Sequence, residues 1–249
     1  ELPSVRLLVK AGGDPLAVVA ARVEAVAHGL DAQTTLDHSA PRASALVASP
    51  ELAKIGWLVV DAGGIPPDML AASLAMQAGV TAVEVDARVR LIDPVAGVEA
   101  GLRVALDPMV GSQWVHAKVG SAAAWDAGLD GRGITVAVID TGVDCSHPDL
   151  RCRNGGRDFT GGNSTADVVG HGTHVAGTAA AIGSNGRGGS GMAPRADVLP
   201  VKVLDDSGTG EYSWVAAGIV WAADQGARVL NLSLGGPVPS AALRDALAY

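Results

Sequence analysis

Two stretches hold the residue types from which hydrolytic chemistry is built. Residues 136–150, VAVIDTGVDCSHPDL, run from a β-branched apolar segment into Asp140; residues 170–181, GHGTHVAGTAAA, set His171 and His174 three apart on a turn leading into small apolar residues. A carboxylate at the end of a buried strand is costly unless a donor meets it, and an imidazole N–H is such a donor. If Asp140 accepts from one ring nitrogen of His171, the tautomer is fixed and the other nitrogen is free to take a proton. The run VAGTAAAI (175–182) reads as a helix, so His171 stands at its N-terminus, where the macrodipole disfavours an imidazolium. A neutral imidazole near about pH 7 is what a general base requires. His174, one turn on, is expected to be a buried, hydrogen-bonded structural residue.

Other uses of these residues fit less well. Zinc hydrolases with two histidines on a helix space them at i, i+4 with a glutamate between, and no third ligand lies at a usual spacing here. The glycine-rich SNGRGGSG (184–191) lacks the GK[ST] ending of a phosphate loop and follows a helix instead of a strand, so it reads as a turn. A nucleotide-binding sheet could use Asp140 on a ribose, but no GxGxxG follows that strand.

The elements that must position these groups follow from hydrophobic period. RGITVAVID (132–140), DVLPVKVLD (197–205) and ARVLNLSLG (227–235) are apolar, β-branched runs of the kind buried on both faces of a parallel sheet. YSWVAAGIVWAADQG (212–226) is a helix between the last two, which makes a βαβ unit. Open parallel sheets react at the carboxyl ends of their strands, where Asp140 lies. Upstream, VRLLVKAG (5–12), WLVVDAG (57–63) and VTAVEVDARVRLI (80–92) read as strands. PLAVVAARVEAVAHGL (15–30) and PPDMLAASLAMQAG (66–79) read as helices. Strand, helix, strand, helix, strand suggests a split βαβ sandwich of ferredoxin-like type. The segment 93–114 has no clear period and reads as a linker.

Composition bounds the function classes. With 249 residues, 48% of them hydrophobic, the chain can bury a large core and is not a disordered segment. A net charge of -8 argues against nucleic acid as partner, since that surface rewards clustered Lys and Arg. No apolar run approaches the roughly 20 residues of a membrane helix, and ELPSVRLLVK lacks the basic-then-apolar order of a signal peptide.

Taken together, VAVIDTGVDCSHPDL (136–150), GHGTHVAGTAAA (170–181), GMAP (191–194), VKVLDDSGTGEYSWVAAGIVWA (201–222) and LNLSLGGP (230–237) resemble the subtilisin-like serine peptidases of the S8 family. The resemblance runs from about Trp114 to Tyr249, and residues 1–92 resemble, more weakly, that family's propeptide, a folding chaperone and inhibitor. It implies an α/β fold, a parallel sheet with helices on both faces, preceded by a small α+β ferredoxin-like propeptide domain. Residues 93–113 would be the linker and maturation region, and 114–249 a partial catalytic domain. Asp140 would be the orienting acid and His171 the general base. Ser233, Leu234 and Gly235 would form one edge of the substrate cleft and Gly208, Thr209 and Gly210 the other, pairing with an extended peptide as an added strand. Tyr212 and Leu234 would line an apolar subsite.

The family's nucleophilic serine, in a Gly-Thr-Ser turn, and its oxyanion-binding asparagine have no counterpart in the sequence, which stops at ALRDALAY. Ser233 matches the substrate-binding strand and is no substitute. The expectation is therefore a serine endopeptidase in its complete form, inactive as this chain alone; the alternative is a catalytically inactive binding or inhibitory module. Its partners would be polypeptide substrates and its own propeptide, with no membrane or nucleic acid, and its location extracellular. No organic cofactor is implied. Asp149 matches a family calcium ligand, to which the loop Ile182 to Gly188 would add carbonyl oxygens. Cys145 and Cys152 flank SHPDLR and are open to two readings, a short disulfide of a secreted enzyme or two free thiols.

Overall fold

The computed structural model describes residues 5–34, 49–92 and 107–249. Two compact units are distinguished: residues 1–88 with 211–220 and 236–249, and residues 89–210 with 221–235.

The first unit opens with β1 (Arg6–Ala11) and α1 (Leu16–Thr34), followed by α2 (Pro50–Lys54), β2 (Trp57–Asp61), α3 (Pro67–Ala75) and β3 (Val80–Val85). β1 lies between β2 and β3 and is antiparallel to both, which makes β2–α3–β3 a split βαβ. The sandwich closes on apolar residues spaced for it. Val19, Val23 and Ala27 form a stripe on α1 at every fourth position, and they cluster with Leu7 and Val9 of β1, Val60 of β2, and Leu70 and Leu74 of α3. Ser49 caps α2, its side chain accepting from the Leu52 N–H.

The second unit carries β4 (Arg88–Leu91, apart from Arg88), α4 (Trp114–Val119), α5 (Ser121–Asp126), β5 (Thr135–Asp140), β6 (Arg157–Asp158), α6 (His171–Ala180), β7 (Asp197–Lys202), β8 (Thr209–Glu211, apart from Glu211), the last turn of α7 (Tyr212–Asp224), β9 (Val229–Asn231) and β10 (Leu234–Gly235); residues 212–220 of α7 and all of α8 (Ala241–Ala248) belong to the first unit. Its main sheet, ordered β6-β7-β5-β9, is parallel throughout. β5 is central, which is why its run is apolar on both faces: Val136, Ala137, Val138 and Ile139 are all buried. Ala176 and Ala180 of α6 pack on Val136, Val138 and Val198, and side chains this small bring the helix backbone close to the sheet. A second sheet, β10-β4-β8, has three short strands.

The expected strand 80–92 is two strands in two sheets. The break comes at Asp86, whose N–H donates to the Arg6 carbonyl while its carboxylate takes the N–H (2.8 Å) and hydroxyl (2.6 Å) of Ser213 and the guanidinium of Arg6 (2.6 Å). Three bonds to one buried carboxylate and one from its backbone N–H turn the chain out of β3 before it enters β4. Glu84 has a parallel role on α8, accepting from the Ser240 hydroxyl and from the N–H groups of Ala241 and Ala242. The run 227–235 likewise divides into β9 and β10. Residues 107–113, expected as linker, are built into the second unit: Asp107 is buried, and a 3-10 turn spans Val110–Ser112. The rest of the expected linker, 93–106, lies outside the described residues.

Candidate active site

β5 delivers Asp140 to the carboxyl end of the parallel sheet with none of its surface exposed. The side chain is met there by two donors. His171 Nδ1–H and the Thr141 backbone N–H each lie 2.7 Å from Oδ1. Oδ2 is buried without a hydrogen-bond partner among the described residues. His171 opens α6, preceded by Gly170 at φ 89°, a left-handed turn that suits glycine. Gly172 allows the next contact, because a Cβ there would run into the Gly142 carbonyl and the Asp140 side chain. The helix start and the strand end thus touch through backbone, and the acid–imidazole pair is held by both.

Burial pushes the imidazole towards neutrality, but the bond to Asp140, the contact with the Ile92 carbonyl and the charges of Asp140 and Asp167 outweigh it, so the His171 pKa lies above its ordinary value. That direction is opposite to the one the helix N-terminus alone would give. Burial raises the Asp140 pKa, against the lowering by its bonds to His171 and Thr141. His171 Nε2 lies 2.9 Å from the carbonyl oxygen of Ile92. With acceptors opposite both nitrogens, the imidazolium is the form that satisfies each.

Ile92 follows β4, a strand held like a peptide in a groove. Leu91 pairs with Leu234 and Arg90 with Gly235 in antiparallel register. The Ile92 N–H donates to the Ser233 carbonyl (3.1 Å) and the Leu91 N–H to that of Gly208 (3.3 Å). Ser233, Leu234, Gly235 and Gly208, four of the residues expected at the cleft edges, therefore all meet one extended strand. Gly210 bridges to Leu204 and the Thr209 carbonyl accepts from Asp205, which closes the opposite edge as a turn. Tyr212 is buried, its hydroxyl donating to the Val238 carbonyl.

Beside the imidazole opens a cavity of about 490 Å³ lined by apolar residues that include Ile92, Val136, Val175 and Met192. His174 lines it too. The residue is exposed, contrary to the burial expected of it, because the buried stripe of α6 runs through Gly172, Ala176 and Ala180, and His174 stands two positions off it on the opposite side of the helix. Cys145 and Cys152 form a disulfide, with sulfurs 2.12 Å apart, across the loop that follows Asp140. Within that loop Asp149 is buried and its Oδ1 accepts from the Asn185 side-chain amide (2.6 Å). Among the described residues no three of His, Cys, Asp or Glu are grouped to hold a metal ion.

Several residues that shape the site carried no motif. Asp107 accepts from the N–H groups of Ser184 (2.6 Å), Asn185 (2.8 Å) and Gly186 (2.9 Å), ordering the loop that faces Asp149. Gln113 pairs with both backbone groups of Ser190. His116 is buried with its ring nitrogens on Ser121 and the Ser190 carbonyl. Asp167 and Thr141 tie α6 to the end of β5. Most of their partners lie far away in sequence or are backbone groups, and neither leaves a spacing to read.

Comparison with known proteins agrees with this geometry. Residues 131–248 match the model of the subtilase family. Thermitase of Thermoactinomyces vulgaris is 47% identical over 146 residues, covering 57% of this chain and 52% of the relative. Subtilisin Savinase of Lederbergia lenta is 49% identical over 134 residues, 54% of this chain and 49% of the relative. The chain thus spans about half the length of these two relatives. The crystal structure of fervidolysin from Fervidobacterium pennivorans, described as a keratinolytic enzyme related to subtilisin, shares the fold: TM-score 0.75 at 24% identity, covering 98% of this chain and 38% of that one. An acid at the end of a central strand, a histidine opening the helix beside it, and nearly half of the aligned residues held in common with Subtilisin Savinase make residues 131–248 similar to the subtilase family.

Proposed function

We propose that this chain is the base-bearing part of a serine endopeptidase of the subtilisin type, secreted and made with its own inhibitory segment. The observation that carries the reading is the alignment of Asp140 Oδ1, His171 Nδ1, His171 Nε2 and the Ile92 carbonyl, with separations of 2.7 Å and 2.9 Å at the two ends of the ring. A peptide carbonyl sits where a general base would act, on a strand paired along both edges of a groove.

In the reaction, a serine from outside residues 1–249 gives its hydroxyl proton to His171 Nε2 as its oxygen bonds to the substrate carbonyl carbon. His171 then passes that proton to the departing amine as the C–N bond breaks, and water hydrolyses the acyl-enzyme by the same two transfers. Asp140 keeps the ring oriented and stabilises its charged form. Ser233, Leu234, Gly235 on one side and Gly208, Thr209, Gly210 on the other bind polypeptide substrate by main-chain pairing, and Tyr212 and Leu234 contribute apolar contacts. Residues 1–92 act as the propeptide, and cleavage on the carboxyl side of Ile92, at the start of the maturation region 93–113, would leave β4 in the groove as a product. Without a nucleophile, residues 1–249 alone are not expected to hydrolyse peptides.

A calcium ion would be held by Asp149, the side-chain oxygen of Asn185 and carbonyls of the Ile182–Gly188 loop, all oxygen donors of the kind this ion takes. The fit rests on a buried carboxylate whose Oδ2 meets Gly188 too closely for any side chain there. The disulfide supports an extracellular location, where such bonds persist.

The engagement of His171 by the chain's own strand also favours a second reading, an inhibitory module that stays closed. Expression of the complete gene product separates them. Hydrolysis of an extended peptide, with a new N-terminus appearing after Ile92 or within 93–113, supports the peptidase. A folded product that neither hydrolyses nor processes itself supports the module.

A further inference from the structure

Gly170, the residue before α6, has no side chain to cap the helix that begins with His171. The work is done three residues earlier. Asp167 Oδ1 accepts the Gly170 N–H (2.8 Å), and Oδ2 accepts both the N–H (2.8 Å) and the hydroxyl (2.6 Å) of Thr173. The same carboxylate reaches the other half of the dyad, since Thr141 Oγ1 donates to Asp167 Oδ1 (2.8 Å) and accepts from the Gly172 N–H (3.0 Å). Thr173 Oγ1 in turn accepts the Asp144 N–H (2.9 Å). One half-buried side chain thus joins the residue after Asp140, the loop beyond it and both residues that follow His171.

We infer that Asp167 is the positioning residue of the Asp140–His171 pair, setting the distance between strand end and helix start and adding a second negative charge behind the imidazole. The geometry leaves few substitutes. Nothing else among the described residues bonds both to Thr141 Oγ1 and to the first turn of α6, and an amide in its place could not accept on both arms. The bonds it receives hold the Asp167 carboxyl below its ordinary pKa against the opposing effect of burial, so it stays ionised while His171 titrates. The charged groups acting on His171 are Asp140, from β5, and Asp167, from the loop before α6. Through this arrangement Asp167 acts on the ring without touching substrate.

The test uses the 249-residue chain, because the nuclear magnetic resonance titration of His171 needs no nucleophile. Asp167→Asn keeps the volume of the side chain and removes its charge. The expected result is a lower His171 titration midpoint and faster exchange of the Nδ1 proton in a variant that still melts cooperatively. A purely structural role would lower the melting temperature and leave the midpoint where it was, and a folded Asp167→Asn chain with an unchanged midpoint and proton overturns the inference. If Asp167→Asn does not fold, Thr141→Val decides, since it cuts the hydroxyl through which Asp167 and the Gly172 N–H reach the end of β5 while leaving the Asp167 charge in place: faster Nδ1 exchange supports the inference and unchanged exchange overturns it. The catalytic consequence rests on the proposed peptidase function. In the complete gene product Asp167→Asn should lower kcat on the order of tenfold to a hundredfold, the effect of a small misplacement, with KM little changed. Absence of all hydrolysis in the wild type with the midpoint still shifting would sink the peptidase reading and leave the positioning role standing.

Discussion

Asp140 and His171 sit at 0% and 8% exposure, yet both are meant to carry charge, so each depends on the other for its solvation. Both titrate above their ordinary values of 3.8 and 6.5, the acid because it is buried and the base because carboxylates surround it. The sign follows from linkage: a raised folded pKa means the folded chain holds protons that the unfolded chain has released. The pair's contribution to stability is therefore complete below about pH 6.5 for His171 and fades as pH rises through its raised value. Urea unfolding of wild type and His171→Ala should show a stability gap at about pH 5 that narrows by about pH 9. A second outcome belongs to the same pair, since Asp140→Asn should lower the His171 midpoint in a resonance titration. Both residues were legible in the sequence because each stands at the junction of a strongly periodic segment and a glycine turn. Asp167, Asp107 and Asp86 were not, because they bond to groups brought near only by the fold.

At the scale of elements, the dyad is set by how closely α6 approaches the end of β5. The sequence shows this indirectly, through glycines and alanines where a surface helix would carry larger groups. Gly172→Ala tests it: the added Cβ meets the Gly142 carbonyl, and separating helix from strand should cost about 1–3 kcal/mol in thermal or urea unfolding. An unchanged melting temperature would show that the two elements have slack. Period alone fixed the existence of β5, β7, α6 and α7 well. It joined β3 to β4 and β9 to β10, since a run of alternating or apolar residues continues through a point where the backbone changes partner. The turn at Asp86 is visible only through its bonds to Ser213 and Arg6, residues that lie 127 and 80 positions away. His174 shows the reverse case, for it lies one turn beyond the buried His171 yet off the helix face that Gly172, Ala176 and Ala180 bury.

For the whole molecule, the long loop 182–191 is tied at Asp107, Gln113 and Asp149, all of them distant from it along the chain. If calcium joins these ties, ligand linkage stabilises the folded state, and the melting temperature should rise with added calcium and fall in a chelator. Equal melting in both would remove calcium from the account. The role of His171 as the base is tested in the complete gene product. Hydrolysis of an extended peptide should fall by roughly 10⁴-fold or more in His171→Ala, together with loss of covalent labelling by a serine-directed reagent, while the variant still melts cooperatively. A folded His171→Ala protein that hydrolyses peptide at the wild-type rate would contradict the assignment of His171 as the base.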